Sequence, residues 1–224
     1  MFNRTEFLLG ENIQKLHNSK IIIFGIGGVG GYATEMLVRS GVGSITIVDF
    51  DVVDLTNKNR QIIALDSTIG KLKVDVMKDR IRDINSNCNV TAINDKLLVD
   101  NIDNFNLEDY DYIIDAIDMV SSKIALIEYA KNKNIPIISA MGAGNRVGIP
   151  KVKVVDIFDT YNDGLAKILR KKLREKNIHS HKVVFVENIA TPNGETIGSI
   201  AYFPAICGCV MSAHVIDELI KERI

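Results

Sequence analysis

A run of glycines, two cations and a few acids carry the chemistry legible in this chain. Gly25-Ile26-Gly27-Gly28-Val29-Gly30 lies between an apolar stretch, Lys20 to Phe24, and a segment of helical pattern. Glycines at such a junction let the backbone approach a phosphate, and the helix N-terminus offers free N–H groups and partial positive charge. Asp49 follows Gly25 by 24 residues, at the end of the next apolar run, where its carboxylate can take ribose hydroxyls. By itself this pattern denotes an adenine nucleotide and is as compatible with NAD as with ATP.

The segment beyond Asp49 bears on that choice. It reads Asp-Phe-Asp-Val-Val-Asp-Leu-Thr-Asn-Lys-Asn-Arg-Gln and supplies Asp51, Asn57, Arg60 and Gln61, with Lys73 further on. A dehydrogenase needs one acid here. Two added cations suit a triphosphate better than a diphosphate bridge, because Arg forks onto phosphate oxygens and Lys acts as a point charge. A solvated helix face is the competing account of Lys73. Asp115 and Asp118 follow the fourth apolar run, at the strand edge where open parallel sheets bind ligands. Either can cap a turn. Asp118, farther from the strand, is the preferred magnesium ligand.

These residues need elements to hold them. Apolar spacing places a leading helix at 5–17, strands at 20–24 and 44–48, and a helix at 29–40 that ends on Gly41-Val42-Gly43. It then places a helix at 68–85, strands at 90–93, 110–114 and 135–139, and a helix at 119–133. A strand at 151–157, a helix at 162–177, a strand at 182–187 and a helix at 201–222 complete the chain. The alternation implies an α/β fold: a Rossmann-like, doubly wound, mainly parallel sheet with helices on both faces. The expected organisation is one unit over 1–224, with an N-terminal helix 1–18, a nucleotide core 19–150 and a basic and C-terminal segment 151–224. Residues 187–198 have the least pattern and are expected to form a loop.

Composition excludes several classes. The chain has 224 residues, 46% apolar and 25% charged, with a net charge of −1, so it is neither a polyanion nor a polycation. Three cysteines without framework spacing fit a reducing, cytoplasmic setting. Met-Phe-Asn-Arg-Thr-Glu-Phe is too polar for a signal peptide. The apolar stretch Ile197 to Ile220 carries His214, Asp217 and Glu218 and reads as a buried helix rather than a membrane span. Cys207 and Cys209 lie in an apolar run and read as inert, buried thiols, and Cys88 as incidental. Residues 165–182 hold seven Lys or Arg against the single acid Glu175, a footprint fit either for nucleic acid or for a solvated helix. Arg170, Lys171, Lys172 and Arg174 are its candidate phosphate contacts.

The combination Gly-x-Gly-Gly-x-Gly, Gly-Val-Gly, Asp-x-Asp, Asn-x-x-Arg-Gln, a downstream Lys and Asp-Ala-x-Asp resembles the ubiquitin-activating superfamily over about residues 3–150. Its small bacterial members are the thiamine- and molybdopterin-pathway adenylyltransferases. The resemblance implies ATP bound by Gly25, Gly27, Gly28, Gly30, Asp49, Asp51, Asn57, Arg60, Gln61 and Lys73, with magnesium on Asp118. Asn3-Arg4 resembles the family's N-terminal Asn-Arg, implying a homodimer in which Arg4 acts in the partner's site. The paired Cys-x-x-Cys motifs of members that serve sulfur carriers are missing. Residues 156–174, with Asp163-Gly164-Leu165-Ala166 opening the basic helix, are similar to the branch that dehydrates threonylcarbamoyl-modified adenosine in tRNA, although Gly164 stands where that branch has Pro. The implied reaction is adenylation of the threonyl carboxylate, then ring closure with loss of AMP. Activation of a sulfur-carrier protein ending in Gly-Gly is the alternative, and a sulfur-relay protein is a possible partner.

Overall fold

The computed structural model describes residues 1–191 and 197–221. Lys20–Phe24 (β1) and Ser44–Val48 (β2) form where the sequence pattern places them, and both are buried on both faces beyond their first residue. Continuous Ile and Val runs of this kind suit strands covered by helices above and below. β3 (Asn89–Ile93), β4 (Tyr112–Asp115), β5 (Ile137–Ala140), β6 (Val152–Asp156) and β7 (Lys182–Val186) complete one sheet in the order β3-β2-β1-β4-β5-β7-β6.

All pairings are parallel except β6 with β7. The connection 141–151 between β5 and β6 contains no helix, so the chain stays at the carboxyl edge and β6 must run back down. The expected doubly wound sheet is thus present with an antiparallel edge. The order reverses between β1 and β4, which leaves a crevice outside the carboxyl ends of β1, β2 and β4.

Helices cover both faces. α3 (Gly30–Arg39), α4 (Lys73–Ile84) and α7 (Tyr202–Ile220) pack on one apolar cluster that includes Ile21, Ile23, Leu37, Met77 and Met211. α5 (Val120–Asn132) and α6 (Gly164–Glu175) pack on the other, with Ile22, Phe24, Leu126, Leu169 and Leu173. α7 is long and apolar enough to cross a membrane, yet Phe203, Cys207, Met211 and Val215 point into the core. Its Gly208 meets α3 so closely that a Cβ there would lie 2.8 Å from the Ala33 nitrogen.

Two expected helices change. The leading helix is two pieces, α1 (Asn3–Leu9) and α2 (Ile13–Asn18), because Gly10 adopts a left-handed φ of 56° between them. The helix expected from 68 begins only at Lys73, since Gly70 is left-handed (φ 81°) and Val52 bridges Leu72. The short 3-10 turns Leu55–Asn57, Ile102–Phe105, Leu107–Asp109 and Ile157–Asp159 carry too few residues for a periodic signal. Of the loop expected at 187–198, residues 192–196 lie outside the described residues, as does the expected helix end at 222.

Candidate active site

The glycine loop closes on itself before it meets any ligand. Gly25 has φ 90°, and a Cβ there would sit 2.6 Å from the Ala116 carbonyl oxygen. A Cβ on Gly30 would overlap the Gly25 carbonyl outright. Those two glycines make the tight turn between β1 and α3. Gly27 is different, because a Cβ there would find only the Gln61 amide, at 3.9 Å. Its backbone faces open space, where a phosphate could approach the N–H groups that open the helix.

That space is a cavity of about 1040 Å³ at the switch point, at the upper end of the ~300–1,000 Å³ usual for ligand pockets. Gly25, Gly27, Gly28, Asp49, Asp51, Asn57, Arg60, Gln61, Lys73 and Asp118 all line it. Gly30 does not and acts through packing. Arg4 does not either: it sits exposed on α1, away from the cavity of its own chain.

Each lining residue is held by a distinct contact. Asp49, mostly buried, accepts the Ile26 N–H at 2.6 Å on one carboxylate oxygen and the Asp51 N–H at 2.9 Å on the other. It therefore ties the glycine loop to the end of β2 and keeps lone pairs for a ribose. Lys73 opens α4 and is 5% exposed, with its Nζ 2.7 Å from Asp51 Oδ2. Asp51 acts here on Lys73, setting the ammonium beside the cavity. The Asp54 carboxylate and the Asn57 amide form a reciprocal cap that folds residues 54–57. The Asn57 carbonyl then accepts the N–H groups of Arg60 and Gln61. Arg60 donates to the Thr56 carbonyl at 2.9 Å and to Asn59 at 2.8 Å, which aims the guanidinium along the cavity wall. Asp118 is exposed on the wall after β4, whereas Asp115 is fully buried against Lys123.

Among the described residues no three His, Cys, Asp or Glu side chains gather as a metal site. Magnesium needs no such cluster, because it binds through one or two carboxylates with phosphate oxygens and water. Asp118 fits such a role as an exposed cavity carboxylate.

A family model matches residues 3–223 of the chain, the ThiF family. The chain belongs to the ThiF family. Within it, the tRNA threonylcarbamoyladenosine dehydratase of Bacillus subtilis is 38% identical over 241 aligned residues, covering 99% of this chain and 95% of that protein. The enzyme of the same name from Haemophilus influenzae is 39% identical over 235 residues, covering 95% and 90%. The crystal structure of E. coli tRNA N6-threonylcarbamoyladenosine dehydratase, TcdA, in complex with ATP superposes with a TM-score of 0.92 at 36% identity, covering 97% of this chain and 93% of that one.

Some features of this ThiF-family chain were missed by its motifs. Phe50, Lys96 and Leu97 line the cavity beyond Asp49, and Lys96 Nζ lies 4.8 Å from the Phe50 ring centre. Met141, Gly142, Ala143 and Gly144 close the wall after β5. A half-exposed Phe next to Asp49 is a local signal for the former group. The latter carries no signal, because only the sheet order brings β5 to the crevice.

The basic helix is divided in use. Arg170 is turned inward onto the Thr160 carbonyl (2.9 Å) and hydroxyl, Lys172 pairs with Glu175 and Arg174 lies 5.0 Å over Phe158. Lys167 and Lys171 remain exposed on the same face as Arg174. The helix N-terminus reaches the cavity through Leu165, and Asp163 caps it at Ala166 (2.9 Å) while accepting the Gly142 N–H at 3.0 Å.

The thiols are unsuited to nucleophilic work. Burial pushes the Cys207 thiol up to about 12 and that of Cys88 up to about 11. Cys209 is exposed, contrary to the expectation that it is buried, because it lies on the outer face of α7. Its thiol is also raised by partial desolvation.

Proposed function

We propose that this chain is an ATP-dependent tRNA threonylcarbamoyladenosine dehydratase. The observation that carries the proposal is one cavity that joins Gly27, Asp49, Lys73, Arg60 and Asp118 and opens beside the N-terminus of a basic helix. The likeness to relatives of that name along nearly the whole chain supports it.

Chemically, the threonyl carboxylate oxygen attacks the α-phosphorus of ATP and the bond to pyrophosphate breaks. A nitrogen of the neighbouring ureido group then attacks the activated carbonyl carbon, loses its proton, and AMP leaves. The second step is intramolecular, so its high effective molarity removes the need for an enzyme nucleophile. That agrees with three thiols held un-ionised. Lys73 and Arg60 would meet charge growing on the phosphates, and Asp49 would orient the ribose. Magnesium, when bound through Asp118, would supply further neutralisation of the pyrophosphate oxygens.

Two partners belong to this reading. Residues 1–224 act as one adenylating unit, and a second copy of the chain supplies Arg4. α1 buries none of its residues and presents Phe7 at 90% exposure and Leu8 at 86%, an apolar face that dimerisation would cover. The tRNA lies along the outer face of α6, in a cytoplasmic setting. Lys167→Glu with Lys171→Glu is expected to raise the KM for tRNA about tenfold, leave the KM for ATP unchanged, and reduce the salt slope of tRNA binding by about 1 per lost contact. Steady-state kinetics reads the two KM values, and filter binding over a salt series reads the slope.

Incubation with threonylcarbamoyl-modified tRNA, ATP and magnesium, followed by nucleoside mass analysis, tests the activity. A product lighter by one water and one AMP per product are expected. Pyrophosphate exchange that requires a protein ending in Gly-Gly and ignores tRNA would overturn the assignment.

A further inference from the structure

One buried ion pair next to the cavity has no part in the chemistry above. Lys123, on α5, places its Nζ 2.8 Å from Asp115 Oδ2, and neither side chain has any exposure. The surroundings are mixed: Ile113, Leu126 and Ile127 belong to the apolar cluster on that side of the sheet, while Ser139 lies in register beside Asp115 on β5 and the buried His181, 2.8 Å from the Ser139 hydroxyl, is within reach of the Lys123 charge. Burying such a pair is a poor route to stability, since well-packed apolar residues in its place are commonly neutral or more stable.

The local geometry shows what the pair holds. Asp115 ends β4, and its other oxygen accepts the Ile117 N–H at 3.2 Å. Between them, the Ala116 carbonyl is the group that bars a side chain at Gly25. Ile117 and Asp118 then enter the cavity wall, whereas Asp115 itself does not line it. The turn 115–118 is thus the rear support of the glycine loop and the mount of Asp118. The Lys123 charge also balances Asp115, so no uncompensated carboxylate stands behind Asp118 where polyphosphate must come.

We propose that Lys123 is a positioning residue for adenylation: through Asp115 it locks the 115–118 turn, which backs the glycine loop and presents the Asp118 carboxylate to the nucleotide. The proposal rests on the ATP-site assignment made above.

Lys123→Met alone strands a buried carboxylate and can fail to fold, so the test uses Asp115→Leu with Lys123→Met, which removes both charges together. Melting temperature, ATP affinity by calorimetry, kcat for AMP release with modified tRNA, and the magnesium concentration for half-maximal rate are measured alongside Asp118→Asn. The double variant is expected to melt at or above the wild-type temperature. Its kcat should fall by at least about tenfold, roughly the rate factor of 1.4 kcal/mol in the barrier, and it should need more magnesium. Wild-type kcat and magnesium demand in the double variant, with Asp118→Asn crippled, overturns the role of Lys123 and leaves the site standing. A kcat that falls only with the folded fraction, at unchanged magnesium demand, also overturns it. Wild-type turnover in Asp118→Asn overturns the site assignment beneath the proposal.

Discussion

Lys73→Ala is expected to lower tRNA-dependent AMP release by about 10²–10³-fold, the ~3–4 kcal/mol typical of losing one charge-stabilising group in a preorganised site. The physical basis is the position of the ammonium. Lys73 is 5% exposed, so its charge acts across a poorly hydrated medium where Coulomb energy is several times that in water. Asp51 holds it at 2.7 Å and is itself half exposed, so the pair can yield to a phosphate without stranding a buried anion. The backbone is secured independently, by the Lys73 N–H donating to the Asp51 carbonyl at 3.0 Å. The variant should therefore stay folded. Single-turnover AMP formation and a thermal melt, measured together, check it. Turnover within about threefold of wild type, far short of the loss expected for such a group, would remove Lys73 from the reaction.

Gly30→Ala should be more damaging still, because it acts on the fold of the loop itself. The added methyl has nowhere to go: it overlaps the Gly25 carbonyl and lies 3.2 Å from the Ala116 side chain. Gly25 cannot retreat, since its own approach to Ala116 already excludes a side chain. Overpacking of this kind costs about 1–3 kcal/mol or more, and relief requires the loop to open. Opening moves the Gly27 backbone off the phosphate position and breaks the Ile26 N–H contact to Asp49. A lower melting temperature and ATP affinity weakened by about a hundredfold or more are expected, from strain of that size plus the lost cradle contacts. Gly27→Ala is the useful contrast. Its Cβ has room, so the protein should melt normally while nucleotide binding falls, because the methyl would project towards the cavity. Equal melting losses in both variants would refute this division between packing glycine and binding glycine.

The same contrast marks what was legible in the chain. Local periodicity found every strand within two residues at either end, because Ile and Val runs bounded by Gly, Asp or Asn leave little choice of structure. Gly25, Gly27, Gly28, Asp49, Arg60, Gln61, Lys73 and Asp118, which the structure brings to one cavity, stand out by residue type and short spacing. The start of α4 could not: a stripe that includes Ile69 reads on as helix, while left-handed Gly70 stops it. That late start makes Lys73 a buried first-turn cation, against the competing account of a solvated helix face.

Other features existed only once the sheet was assembled. The helix-free connection 141–151 makes β6 run back, but its place beside β7 depends on the edge that β7 leaves, and no pattern inside Val152–Asp156 encodes it. Arg170 looked like a phosphate contact by charge, but the path of residues 157–163 brings the Thr160 carbonyl to it. Lys96 and Phe50 meet across β2 and β3, and Lys123 meets Asp115 across β4 and α5. The sequence by itself determined which local structures form and which groups can bind a nucleotide, because propensity and chemistry are properties of neighbouring residues. The tertiary structure decided which cations face the cavity and which are consumed within the fold, because burial and partner choice depend on how the elements pack and on the path of the loops between them.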